Sequence, residues 1–308
     1  MPSEQIQWFP GHMAKTRRMI TENVKNVDII IEVLDARIPY SSRNPELRRL
    51  TAGKPMLVLL NKAGLADQNM TKLWVKHLTK KDTYCLPVDC MTGEGIRAIV
   101  PTVREILKEK IERNESKGMT GKRLRAMILG IPNVGKSTLI NRLVGNNKAK
   151  TENRPGVTVD KAWFTGKDGL DLMDMPGLLW PKFNDVTVGE NLAITGAIKD
   201  KILDTETIAL RLCGRLKAQY PKLLLARFPF CDDEAKLADM SDLDVMEAVG
   251  RKRGFLISGG EINYERTANV LLEEFRSAKI GRITLDRKPE ERFAAAKEQA
   301  TEQSEQGE

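Results

Sequence analysis

Residues 130–137 read G-I-P-N-V-G-K-S and directly follow the apolar run 125–129, R-A-M-I-L. A G-x-x-x-x-G-K-S segment between a buried strand and a helix is a phosphate-binding loop. Its glycines let backbone N–H groups close on phosphate oxygens with no Cβ in the way. The helix that follows adds a field favourable to an anion. This single feature restricts the chain to an α/β sheet in which one strand feeds the loop. Lys136 is placed to reach the β- and γ-phosphates, and Ser137 to ligate Mg2+. Asn133, Val134, Gly135 and Thr138 complete the phosphate cradle. The loop lies near the middle of the 308 residues, and motifs expected after it come before it.

One companion motif does follow. Residues 174–177, D-M-P-G, end the apolar stretch 170–173. A D-x-x-G there sets Asp174 near Mg2+ through water and lets the Gly177 N–H sense the γ-phosphate. Between the two motifs, residues 154–158 read R-P-G-V-T. Thr158 is then the switch threonine, whose hydroxyl completes the Mg2+ shell only when the γ-phosphate is present. Upstream stand N-K-A-G at residues 61–64 and D-C-M-T-G at residues 89–93. In guanine-specific switches an N-K-x-D and a later base-capping loop both end buried strands. Asn61 would tie the base loop to the phosphate loop. Lys62 would lay its stem along the purine, with Ala63 and Gly64 beside it. Asp89 and Cys90 would form the second base loop, with the Cys90 N–H directed at the guanine O6.

The order is thus base loop, second base loop, phosphate loop, switch threonine, D-x-x-G. It resembles that of the circularly permuted GTPases. Within them the chain is similar to the ribosome biogenesis GTPase A family, YlqF/RbgA. The tokens are W-F-P-G-H-M-A-K at 8–15, D-A-R-I-P at 35–39, the phosphate loop, R-P-G-V-T and D-M-P-G. The resemblance covers residues 1 to about 280. It implies an α/β fold: a doubly wound P-loop NTPase sheet, circularly permuted, followed by a small all-α domain. It also implies GTP binding and hydrolysis, with GTP/GDP and Mg2+ as cofactors. Late assembly of a large ribosomal subunit precursor, contact with its rRNA and ribosomal proteins, and stimulation by that particle are implied as well. His12 is by resemblance the residue that positions the attacking water; bracing its own loop is the alternative. Asn133 is either a K+ ligand, as in potassium-activated relatives, or a loop brace.

Two positions depart from the family pattern. Gly64 stands where the fourth residue of N-K-x-D is an aspartate, whose carboxylate accepts from guanine N1–H and N2–H2. Its loss should cost about 1.5–3 kcal/mol, so weak GTP affinity and reduced discrimination are expected. Asp89 stands where serine is usual, close to the base loop. Leu178 follows the D-x-x-G and cannot hold a water by hydrogen bonding.

The apolar runs 28–35, 55–60, 84–88, 125–129 and 170–173 alternate with helical stretches, as in a parallel sheet covered on both faces. Residues 161–165 suit an antiparallel edge strand, and 94–117 read as one long helix. After residue 190 the pattern becomes helical. Ile208, Leu212, Leu216 and Tyr220 form one stripe, and Ala268, Leu271, Leu272 and Phe275 another. The expected division is a GTPase domain over 1–185, a helical RNA-binding-type domain over 190–285, and a loose tail over 286–308. Residues 1–189 hold 31 Lys/Arg against 20 Asp/Glu, which suits a polyanionic partner. Arg211, Arg215, Lys217 and residues 251–253 are the candidate RNA contacts. Four cysteines and two histidines lack metal-ligand spacing. No run is long enough for a membrane helix. A cytoplasmic monomer is expected. The alternatives are a nucleotide-dependent RNA-binding scaffold with negligible turnover and a small-molecule phosphotransferase.

Overall fold

The computed structural model describes residues 10–145, 162–180, 185–198 and 204–291, with side chains from residue 13 onward. One sheet is built from β1 (Ile29–Asp35), β2 (Met56–Asn61), β3 (Thr83–Pro87), β4 (Leu124–Leu129), β5 (Ala162–Thr165) and β6 (Leu170–Asp174). Their spatial order is β3-β2-β1-β4-β6-β5. Neighbours pair in parallel except β5 with β6, which is antiparallel. Every residue of β1 and β2 is buried. That is why these strands read as unbroken apolar runs and not as an alternation. Burying each Ile, Leu or Val side chain contributes roughly 1.5–3 kcal/mol, so this pair is the anchor of the core.

The path of the chain explains the motif order. It runs outward through β1, β2 and β3, then returns to lay β4 on the other flank of β1. The strand order therefore reverses direction between β1 and β4. In open α/β sheets the crevice at the carboxyl ends of such strands takes the ligand. The return passes through α4 (Ile96–Ile106) and α5 (Lys108–Glu115). A single helix is expected there from sequence; the structure interrupts it at Leu107, with φ −98° and ψ 13°. Ile99, Val103 and Leu107 are buried, whereas α5 buries no residue fully. The helix changes course where its apolar stripe ends. The remaining helices of this unit are α1 (Pro10–Asn23), α2 (Pro45–Leu50), α3 (Gln68–Leu78) and α6 (Lys136–Val144).

The helical unit comprises α7 (Val186–Ile194), α8 (Thr205–Gln219), α9 (Pro221–Arg227), α10 (Glu234–Asp239), α11 (Asp242–Lys252) and α12 (Tyr264–Arg276). Helix α8 is its hub and packs against the other five. Ile208, Ala209, Leu212, Cys213 and Leu216 line its buried face, and Ala268, Leu271, Leu272 and Phe275 face it from α12. Ser241 caps α11 in a reciprocal box with Asp244, satisfying donors that a helix start leaves open.

The segment after α12 turns back onto the sheet unit. Ile283 N donates to Leu65 O at 3.2 Å and Leu285 N to Arg37 O at 2.8 Å. Charge alone suggests that the chain loosens from Asp286 onward. Instead Asp286 is 2% exposed. Its carboxylate accepts from Tyr40 N, Ser41 N, Ser41 Oγ and Asn191 Nδ2. An anion held by several N–H and O–H donors is stable when buried, and this residue locks the helical unit to the loop after β1.

Candidate functional site

The ends of β1, β2, β3, β4 and β6 carry the chemistry-bearing motifs, and the parallel register brings them to one edge of the sheet. Asp35 lies opposite Asn61, Leu60 opposite Pro87, and Ile128 opposite Asp174. Asn61 joins three of the segments. Its Nδ2 donates to Val134 O at 2.6 Å, and its Oδ1 accepts from Cys90 N at 3.0 Å. The amide is 2% exposed, so both bonds are shielded from water. Gly135 answers this close approach: a Cβ there would lie 2.3 Å from Asn61 Nδ2.

Lys62 adopts the left-handed conformation, φ 61°. Its Nζ donates to Asn133 O at 2.7 Å and pairs with Asp35 Oδ2 at 3.0 Å. The stem is thereby stretched between the end of β1 and the phosphate loop. Burial alone would raise the Asp35 carboxyl. Arg37 and Lys62 outweigh it and hold the group well below the ordinary carboxylate range. Burial depresses Lys62, which Asp35 partly offsets. Ala63 and Gly64 occupy a 3-10 turn, Ala63–Leu65. Ala63 N donates to Val88 O at 3.1 Å and Gly64 N to Asp89 Oδ2 at 3.2 Å. Burial pushes the Cys90 thiol up to about 12, so the side chain stays protonated at neutral pH. Arg142 of α6 clamps this second loop from the far side, donating to the carbonyls of Cys90 and Met91. Sequence reasoning missed Arg142; nothing in a basic residue mid-helix signals a partner some fifty positions away.

In the phosphate loop Asn133 has φ 59°. Lys136 is 7% exposed, and its Nζ donates to Gly130 O at 3.2 Å and Ile131 O at 2.9 Å. Burial lowers it to about 8, against the pull of Asp174. Ser137 and Thr138 are half-buried in the first turn of α6. Asp174 is buried at the end of β6. The D-x-x-G is docked on the phosphate loop: Leu178 N donates to Gly130 O at 3.2 Å. A Cβ on Gly177 would lie 2.7 Å from Pro132 N, so only glycine lets these two loops touch. Thr158 and the side chain of His12 lie outside the described residues.

Three comparisons bear on what this arrangement is. The family model described as "50S ribosome-binding GTPase" matches residues 125–212. Solved structures of YlqF superpose on the chain. The GDP-bound form gives TM-score 0.61 at 25% identity, covering 89% of this chain and 100% of that one. The GNP-bound form from T. maritima gives 0.57 at 23%, covering 89% and 99%. Ribosome biogenesis GTPase A of Bacillus pumilus is 46% identical over 285 residues, which is 92% of this chain and 99% of that protein. The chain belongs to the ribosome biogenesis GTPase A family.

As a ribosome biogenesis GTPase A family member it is a P-loop GTP hydrolase. The donor set fits Mg2+: a serine hydroxyl and a carboxylate are hard oxygen ligands, and this ion takes one or two from protein and others from phosphate. The residue after the D-x-x-G offers no help with water. Leu178 is 1% exposed, and its carbonyl accepts from Asn44 Nδ2 at 3.0 Å.

A second network links the site to the helical unit. Arg37 grips Asp35 with two bonds, 2.9 and 2.7 Å, and lies over the Phe275 ring at 5.5 Å. Asn133 Nδ2 donates to Gly196 O at 2.7 Å. Arg276 donates to the carbonyls of Ile194 and Ala193 at 2.8 and 2.9 Å. The candidate RNA contacts each have a place in the helical unit. Arg211 and Arg215 both pair with Glu190, Lys217 with Asp242, Arg251 with Glu247 and Arg253 with Glu274. Arg211, Arg251 and Lys252 are exposed. Among the described residues no helix is long and apolar enough to cross a membrane.

Proposed function

We propose that this chain hydrolyses GTP as a monomeric, cytoplasmic assembly factor acting late in maturation of the large ribosomal subunit, and that the precursor particle stimulates its turnover. The observation that carries the nucleotide assignment is the Asn61 amide, which holds the base loop, the second base loop and the phosphate loop in one cleft. In this reading Lys62, Ala63, Gly64, Asp89 and Cys90 enclose the purine. The backbone of residues 133–138 takes the phosphates. Lys136 leaves the carbonyls of Gly130 and Ile131 for phosphate oxygens. Ser137, Thr158 and, through water, Asp174 hold Mg2+. When bound, that ion neutralises charge developing on the β- and γ-phosphates.

Leu178 leaves the water-positioning role open, and His12 fills it. It lies on α1. Particle stimulation then means that contact with rRNA and ribosomal proteins fixes His12 over the γ-phosphate. Asn133 spends its amide nitrogen on Gly196 O, leaving its oxygen to ligate K+, whose charge stabilises the transition state as an arginine finger does. The same contact makes the helical unit a reader of nucleotide state. Any shift of the phosphate loop or of Gly177 is passed to residues 193–196 and from there to α12.

Phosphate release from GTP, with and without large-subunit precursor particles, tests this. The particles should raise turnover by an order of magnitude or more in K+ and far less in Na+. His12→Ala should remove the stimulation and leave GTP binding intact. Negligible turnover with and without particles would instead favour the scaffold reading, to which Leu178 and Gly64 lend support.

A further inference from the structure

The two departures at the base loops occupy one place. Gly64 N donates to Asp89 Oδ2 at 3.2 Å, and a Cβ built on Gly64 would lie 2.7 Å from that same oxygen. In an aspartate a carboxylate oxygen stands two bonds from its own Cβ, roughly 2.4 Å with ordinary bond lengths. Asp89 Oδ2 therefore sits, within a few tenths of an ångström, at the distance from position 64 that an aspartate's own oxygen would keep. Asp89 is 5% exposed, and its other oxygen is fixed by Met91 N at 2.9 Å and Thr92 N at 3.1 Å. The carboxylate is thus held rigidly against the turn that follows Asn61 and Lys62. Cys90, next in the chain, is bonded to Asn61, so the placement of the group is tied to the same amide that organises the cleft.

We infer that Asp89 supplies the guanine-reading carboxylate that position 64 lacks, accepting from N1–H and N2–H2 of the base through Oδ2. This rests on the nucleotide placement proposed above. It makes Gly64 a consequence and not a loss: the residue must be glycine because the carboxylate from the neighbouring strand fills the space of its side chain. The weak affinity and poor discrimination expected from Gly64 alone are then not expected of this chain. Asp89 is a specificity residue for the established hydrolysis, contributed from the end of β3 in place of the end of β2.

The chemistry offers a readout that a structural brace would not give. Xanthine carries a carbonyl at C2 where guanine has its amino group, and both carry N1–H, so an amide donor in place of the carboxylate should shift the preference from guanine toward xanthine. Binding of GTP, XTP and ATP is measured by titration for the wild type, Asp89→Asn, Gly64→Asp, the pair Gly64→Asp/Asp89→Ser, and Lys136→Ala. Wild type should prefer GTP over both others. Asp89→Asn should weaken GTP by about ten- to a hundredfold and bind XTP more tightly than the wild type does. Gly64→Asp alone should weaken GTP, since it drives a second carboxylate into Asp89. The double variant should recover the GTP preference, and it keeps the test alive if Asp89→Asn fails to fold. An Asp89→Asn protein that binds GTP and XTP in the wild-type ratio would overturn the proposal, as would a Gly64→Asp protein that binds GTP more tightly. Lys136→Ala binding GTP as tightly as wild type would instead remove the underlying site, a failure distinct from that of the exchange.

Discussion

Lys136→Ala binds GTP at least a hundredfold more weakly than the wild type and shows no particle-stimulated turnover, yet its unfolding midpoint in the absence of nucleotide does not fall. The argument has two halves. In the proposed site Lys136 is the charged group the phosphate loop presents to the β- and γ-phosphates, and hydrogen bonds between ions in a water-poor site are the strong ones. Without phosphate the ammonium is buried; among the described residues it donates to the carbonyls of Gly130 and Ile131, and the buried Asp174 carboxylate offsets part of its desolvation. A charge in that position costs folding energy, so truncating it relieves a penalty that offsets the packing lost with its methylenes. Nucleotide titration and chemical denaturation of the same preparation check both halves. A variant that unfolds more easily by several kcal/mol would mean that Lys136 is structural.

Arg37→Ala has the opposite signature: a loss of about 3–5 kcal/mol in stability. Arg37 is 2% exposed and neutralises Asp35 with a two-pronged pair. It also donates to Arg276 O and supports Phe275, while its own carbonyl accepts from Leu285 N. Removing it strands a buried carboxylate with Lys62 as the remaining cation. Lys62 is then drawn toward Asp35 and away from Asn133, so GTP affinity should fall as well. Urea denaturation followed by tryptophan fluorescence gives the first quantity, and titration the second. A stability change under about 1 kcal/mol would show that the Asp35 site collapses or hydrates without penalty.

Much of this fold is readable in the sequence because parallel strands buried on both faces are unbroken apolar runs. All six strands fall where such runs, or the short edge segment 162–165, occur. The stripes on α8 and α12 are legible for the same reason, with a period of 3.6 in place of 2. The phosphate loop and the D-x-x-G are visible because backbone geometry dictates glycine at fixed offsets. What stays hidden depends on pairs distant in sequence. Asp286 reads as the first residue of a charged tail until the N–H groups of Tyr40 and Ser41 are seen around it. The ion pairs of Arg211 and Arg215 with Glu190, and of Arg253 with Glu274, are equally hidden. Gly64 and Asp89 read as two defects, and only their proximity makes them one exchange. Charge in a sequence is a sum, whereas its function depends on which partner the fold supplies.

The permuted order matters physically because it sets what the nucleotide can move. The D-x-x-G leads toward α7, and the phosphate loop touches Gly196 through Asn133. The D-x-x-G and the phosphate loop are thus joined to the helical unit through both backbone and hydrogen bond.

A structure of the full chain with Mg2+ and a non-hydrolysable GTP analogue tests the central claim most directly. It should show the purine between Lys62 and Cys90, the triphosphate along residues 133–138, and Lys136 Nζ swung from the carbonyls of Gly130 and Ile131 onto phosphate oxygen. A nucleotide bound elsewhere, or one whose base makes no contact with the loops joined by Asn61, would contradict it.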